Sequence, residues 1–445
     1  MSHSSSCSPN NDSIVPPPGP IPWSKRHKQV TKAASGGLRY KSMSNSFAEP
    51  LTTKELVDWT LEQQPGGGKD LVDEYYNHRL TYTPNGGSLD LRQAIAQLYG
   101  PCITASHILV FPGAQVALQT AARTVVGMTT THCANDSNDN KNAFSAPPTP
   151  SPCHAITFTP GYQSVQEGPA QAGASSVTKI TLRPANGWQI DVAEVEAAIL
   201  PSTRYIVINE PYNPAGTLMS RETQTQLIAL AAKHNIYILC DEVYRLLEHD
   251  DKDRIPAMAD AYGSRGLSCV TLSKPWGGCG ITIGWIACQN EALLDRMTDW
   301  QYFGTTCPGR ASELLAIMTL RNSERILERN RKIIRRNKRL LEQFMSDYSD
   351  WFDWVPPTAG AICALRFHGP LTTTELGEAL AAFEGGIGIK PSYCFTDKQQ
   401  PLTKENDYFR VGFGESIMPE SLEALRRFVA AHKEDWKKEM AKNKM

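Results

Sequence analysis

Short apolar runs alternate with longer amphipathic stretches through the middle of this 445-residue chain, and that alternation limits the possible folds more than any other feature. Ala155–Phe158, Tyr205–Ile208, Ile236–Cys240, Cys269–Leu272 and Ile283–Ala287 are rich in β-branched and aromatic residues and are bounded by turn residues, as strands are. Between them, Val192–Leu200 and Arg221–His234 carry helical spacing. Strands this apolar, separated by helices, predict an α/β fold: a mainly parallel sheet with helices on both faces. Ligands of such sheets bind at the carboxyl ends of the strands. Asn213, Asp241 and Lys274 each fall just after a predicted strand, which points to one shared site.

The flanking segments have a different character. Residues 1–29 are rich in Ser, Asn and Pro and read as a flexible arm, without the apolar core of a signal peptide or the Arg-rich, acid-free character of a transit peptide. Residues 129–152 are polar and turn-rich and read as a mobile surface insertion in a large domain spanning 76–310. From 311 to 445 come a long charged helix (Ser323–Asp347), a strand (Ile362–Phe367) and two further helices (Thr374–Phe383 and Pro419–His432). These predict a smaller α+β domain, completed by residues 30–75.

Composition excludes several functions. A net charge of −1 offers no field for gripping nucleic acid or an anionic membrane. There is no apolar run of about 18 residues, so no membrane span is expected. Eleven scattered cysteines, an odd number and none in C-x-x-C spacing, speak against a disulfide framework or a zinc site. They favour a reducing compartment, the cytoplasm. His132, Cys133 and His154 are too loosely spaced to expect a metal.

Three signatures occur in order: Asn213-Pro214-Ala215-Gly216, Asp241-Glu242-Val243-Tyr244 and Ser273-Lys274 with the sequel Gly277-Gly278-Cys279-Gly280. Together they resemble the site of an enzyme that holds pyridoxal 5′-phosphate (PLP) as a Schiff base on a lysine. Lys274 would carry the cofactor and then be free to move protons at the substrate Cα. Asp241 fits the partner of the ring nitrogen, keeping the ring protonated, while Glu242 should point to the opposite face. Tyr244 or Asn213 could reach the ring's phenolic oxygen. Phe111-Pro112-Gly113-Ala114-Gln115 leads into a helix over Val116–Val126, and a glycine turn at a helix N-terminus is an anion site. Thr271 and Ser273 could add hydroxyls to a phosphate. Tyr162 could stack on the ring or simply pack in the core.

At this point the chain is similar to the fold-type I PLP-dependent enzymes of the class I/II aminotransferase family, over about residues 40 to 435. Gly113, Ala114 and Gln115 match that family's phosphate turn and Tyr162 its stacking aromatic. The segment from Tyr82 through Gly86-Gly87 to Leu91-Arg92 resembles one whose tyrosine reaches the phosphate of the neighbouring subunit, which implies a homodimer with shared sites. Tyr408-Phe409-Arg410 resembles the segment whose arginine grips the substrate α-carboxylate in a bidentate fork.

Departures from the family pattern stand at three places. Thr282 occupies the position where the family has a phosphate-binding arginine. Trp276 could shape the pocket or pack in the core. Glu210 reads as a surface residue that could meet a cationic substrate. The resemblance implies an enzyme acting on a free amino acid, with transamination to a 2-oxo acid as the leading expectation. PLP-dependent lyase, cyclase or oxidase chemistry on the same fold is the alternative. A transcription regulator would need a helix-turn-helix that the N-terminal arm lacks, and an inactive scaffold would be expected to have lost Lys274 or Asp241.

Overall fold

The computed structural model describes residues 41–63, 67–128, 152–383, 386–396 and 403–442. The expected arm, 1–29, and all but the last residue of the expected insertion, 129–152, lie outside these, as do residues 30–40 of the segment expected to complete the small domain.

Twelve strands are described. In chain order they are β1 (Lys41–Ser42), β2 (Ile108–Phe111), β3 (His154–Thr159), β4 (Ser176–Thr181), β5 (Thr203–Asn209), β6 (Tyr237–Asp241), β7 (Gly266–Thr271), β8 (Gly284–Ala287), β9 (Phe352–Trp354), β10 (Ile362–Phe367), β11 (Ile387–Gly388) and β12 (Tyr408–Gly412). Seven of them form the central sheet in the order β2-β8-β7-β6-β5-β3-β4. All of its pairs are parallel except those of β8, which runs against both β7 and β2. The run Ile283–Ala287, read as one more strand of a mainly parallel sheet, is therefore its one reversed member.

The core lies on both faces of this sheet. Tyr205, Val207, Tyr237 and Leu239 pack beneath the helices Ala114–Val126 and Glu291–Gly304. Their neighbours Ile206, Ile208, Ile238 and Cys240 pack on the other side with Leu227 and Leu230 of the helix Arg221–Lys233. A period of two with both faces buried is why the strands read as continuous apolar runs. The same period carries Asp241 to the face of Leu239 and Glu242 to the other. There Glu242 accepts from Ser268 Oγ at 2.9 Å and from the Met258 amide at 2.6 Å.

Beyond the large sheet, β10 pairs antiparallel with β9 and β12, and β1 lies parallel to β11. The helix Ser323–Asp347 runs as expected and buries Ile326, Ile334, Leu341 and Phe344. The last helix, expected to end at His432, continues to Lys442 because Trp436 is buried against Trp351, Phe367 and Phe428. No helix among the described residues is long and apolar enough to cross a membrane.

Candidate active site

Strands β5, β6 and β7 are adjacent, and their carboxyl ends meet in register: Asn209 pairs with Asp241, and Asp241 with Cys269. Asn213 sits in the turn after β5, with its amide bonded to Asn209 Oδ1 at 2.7 Å. Lys274 sits in the turn after β7. That turn is tied down from three sides. The Lys274 carbonyl accepts from the Ala48 amide at 3.0 Å, the Pro275 carbonyl accepts from Asn330 Nδ2 at 2.9 Å, and Trp276 Nε1 donates to Ser323 Oγ at 2.8 Å. Trp276 is 2% exposed and lies near Trp285, so of its two readings core packing is the one realised.

The Lys274 amine donates to Ser46 Oγ at 3.1 Å. Burial pushes it below its ordinary value. Cys279 and Asp241 oppose this shift, and Arg410 reinforces it. Asp241 is 2% exposed, and burial raises its carboxyl to about 7 despite the nearby Lys274 ammonium. Its Oδ1 is buried with no hydrogen-bond partner. An unpaired buried carboxylate is expensive, so this oxygen calls for a cationic N–H donor.

Arg410 comes from β12 in the small sheet. Its Nη1 donates to Asn213 Oδ1 at 3.0 Å and its Nη2 to the Ser44 carbonyl at 2.7 Å, while Nε is buried without a partner. Burial pushes the Tyr244 hydroxyl up to about 12, with Asp241 adding to this and Arg410 and Ser46 acting against it. Tyr162 donates to Gln115 Oε1 at 3.1 Å. Burial and then Asp241 raise its hydroxyl.

The helix Ala114–Val126 starts two residues earlier than expected. Its cap, Gly113, has φ 97° and contributes no side chain, so the first amides lack an internal acceptor. At Gly284 a side chain would come within 2.5 Å of the Ala114 nitrogen, so only glycine lets β8 press against this turn. Thr282 lies beside Gly113, exposed and in the left-handed region at φ 58°. Thr271 Oγ1 donates to the Ile283 carbonyl at 2.9 Å and shares a hydrogen bond with Ser273 Oγ at 3.0 Å.

The structure thus gathers Lys274, Asp241, Asn213, Arg410, Tyr244 and Tyr162 around one space, with Gly113, Ala114, Gln115, Thr271, Ser273 and Thr282 along its edge. Tyr82 stands apart, 89% exposed. Glu210, expected at the surface, is instead buried. Its Oε1 accepts from the Met219 amide at 2.8 Å, and burial raises its carboxyl to about 8. The strand end that carries it is covered by its own turn.

Sequence reasoning missed Ser44, Ser46, Asn209 and Phe395, whose ring lies 5.2 Å beneath the Arg410 guanidinium. Only Asn209 carried a local signal, ending an apolar strand as Asp241 does. Among the described residues no cluster of His, Cys, Asp and Glu could hold a metal, and His154 is bonded to the hydroxyls of Thr203 and Thr178.

The geometry fits PLP: an orphaned carboxylate oxygen for a protonated ring nitrogen, a desolvated lysine, a buried arginine and uncapped helix amides. Among solved structures, a PLP-dependent aminotransferase from Streptococcus suis 89-1591 matches with a TM-score of 0.76 at 24% identity, over 92% of this chain and 96% of that one. The fold is therefore that of the PLP-dependent aminotransferases.

The chain belongs to the class I and II aminotransferase family, whose model matches residues 73–413. Similar relatives include capreomycidine synthase of Streptomyces vinaceus, 27% identical over 58% of this chain and 63% of that protein. The match therefore spans somewhat less than two thirds of that relative. The aspartate/prephenate aminotransferase of Thermus thermophilus is 26% identical over 71% of this chain and 76% of that protein. The arginine–pyruvate transaminase of Pseudomonas aeruginosa is 28% identical over 48% and 50%.

Proposed function

We propose that this protein is a PLP-dependent aminotransferase that moves the amino group of a free amino acid to a 2-oxo acid. The observation that carries the reading is Asp241 at the end of β6, with one carboxylate oxygen buried and unpartnered, beside the turn after β7 that carries Lys274 and lets its charge act on Asp241. When bound, PLP supplies an electron sink for the charge left at Cα. Asp241 would accept the ring-nitrogen N–H, and Asn213 and Tyr244 would face the phenolic oxygen. Tyr162 would cover one ring face. Gly113, Ala114, Gln115, Thr271, Ser273 and Thr282 would line the phosphate.

Lys274 would anchor the cofactor and then move the substrate proton. An amine of lowered basicity keeps a larger neutral fraction near pH 7, as a general base requires. Arg410 would hold the α-carboxylate, with Asn213 and the Ser44 carbonyl fixing the plane of its fork.

A homodimer is part of this reading. Tyr82, Leu80 and Phe303 are large side chains left almost fully exposed in the single chain, and a second copy would cover them. Cys102, Cys240, Cys269, Cys279, Cys288, Cys307, Cys363 and Cys394 are free thiols, which suits the cytoplasm.

A second reading, a lyase or cyclase on the same fold, is favoured by the likeness to capreomycidine synthase. Incubating the holoenzyme with single amino acids and 2-oxo acids separates the two. Stoichiometric exchange of amino and oxo acids supports transamination. Ammonia or a cyclised product without exchange rejects it.

Thr282 makes a further expectation accessible. A Thr282→Arg substitution adds a cation beside the Gly113 turn, and a straight-chain residue tolerates φ 58° better than a β-branched one. A charge-assisted hydrogen bond contributes roughly 1.5–3 kcal/mol. Cofactor affinity, measured by equilibrium dialysis, should rise by about tenfold or more. Unchanged affinity would place the phosphate elsewhere.

A further inference from the structure

Lys390 follows β11 and forms an isolated antiparallel bridge with Arg410. The Lys390 amide donates to the Arg410 carbonyl at 3.0 Å, and the Arg410 amide donates to the Lys390 carbonyl at 2.7 Å. Residues that exchange both backbone bonds stand directly opposite each other, about 5.5 Å apart at Cα, with their side chains on the same face. Lys390 and Arg410 therefore project together.

On its other side Arg410 pairs with Ala364, which leaves that face of the row short. Arg410 reaches Asn213 and is 4% exposed, with its Nε buried and unpartnered. Lys390 is half-buried beside it, near enough to both Arg410 and Lys274 for their charges to act on its amine.

We infer that Lys390 is a specificity-determining residue: with Arg410 it forms a two-cation wall that selects amino and oxo acids carrying a second carboxylate. The role given to Arg410 rests on the aminotransferase reading. Burial pushes the Lys390 amine down to about 8, and repulsion from Arg410 and Lys274 adds to this, with Cys394 acting against it. A dicarboxylate brings one negative charge to each cation and relieves that repulsion, whereas a monocarboxylate satisfies only one. Lysine suits this part, because its flexible stem lets a single ammonium follow a carboxylate that Arg410 does not hold.

The test is binding without turnover. Succinate and butyrate, a non-reacting dicarboxylate and its monocarboxylate counterpart, would be titrated calorimetrically into the holoenzyme and its Lys390→Met variant. Wild type should prefer succinate by at least about tenfold. Lys390→Met should weaken succinate about tenfold and leave butyrate within about twofold. Equal wild-type affinities overturn the inference without any variant. So does a Lys390→Met protein in which both ligands weaken alike or neither changes. Because no chemistry is read, transamination can fail while this selectivity stands, and the reverse.

Discussion

Lys274→Ala protein should fold and yet turn over amino acids about 10⁴-fold more slowly than wild type, the upper end of what one positioned acid–base group supplies. The expectation follows from where the amine sits. It ends a turn anchored by Ala48, Asn330 and Ser323, so its reach is fixed by contacts that do not involve its own side chain. Removing the side chain breaks one hydrogen bond, to Ser46, and leaves that anchoring in place. Because the amine is held desolvated, its loss carries little stability penalty, and the thermal midpoint should move by no more than a few degrees. Borohydride treatment of the holoprotein should fix the cofactor covalently to the peptide containing Lys274 in wild type and to no peptide in the variant. Turnover within tenfold of wild type would remove Lys274 from the mechanism.

Asp241→Asn should separate stability from activity. In the cofactor-free protein the folded carboxyl is raised from its ordinary 3.8 to about 7, chiefly by burial. Between those values the native state holds a proton that the unfolded chain has released. Stability therefore falls as pH rises from about 4 to about 7, and the full penalty persists above about 7. The displacement corresponds to about 4 kcal/mol at most.

Asparagine keeps the shape and never ionises. The cofactor-free variant should therefore be more stable than wild type at pH 8 and little different at pH 4, measured as urea midpoints. Amino-acid turnover should meanwhile drop roughly 10²- to 10³-fold, because a neutral amide cannot hold the ring nitrogen protonated. The same stabilisation at both pH values would show that Asp241 is not the titrating group. Near-normal turnover would reject its place at the ring.

These two residues were legible in the sequence for a physical reason. A parallel strand buried on both faces is written as a short apolar run, and a polar residue just after it falls at the carboxyl end of the sheet, where ligands bind. Asn213, Asp241 and Lys274 each announced themselves in this way. Glu210 follows the same kind of strand but was expected at the surface, because the turn that buries it is made by residues up to Met219 folding back. Trp276 offered two readings that its own neighbours could not separate. Its contact with Ser323 on the long helix decided between them.

Ser44 and Ser46 carried no local mark, since each acts through a partner far along the chain, and Lys390 carried none because its place beside Arg410 depends on a strand bridge. Lys274 meets Ser46 across 228 residues, and Arg410 meets the Ser44 carbonyl across 366.

The amino-acid order alone determined the layered α/β architecture and the residue types standing just after its strands, because periodicity and burial act over a few neighbouring positions. Only the tertiary structure decided that Ser44 and Ser46 join those ends, how far burial shifts Asp241 and Lys274, and that a second cation stands beside Arg410. Desolvation and charge coupling depend on what packs around a group, and here that packing joins nearby turns and strands to segments as distant as Ser44 and Ser46.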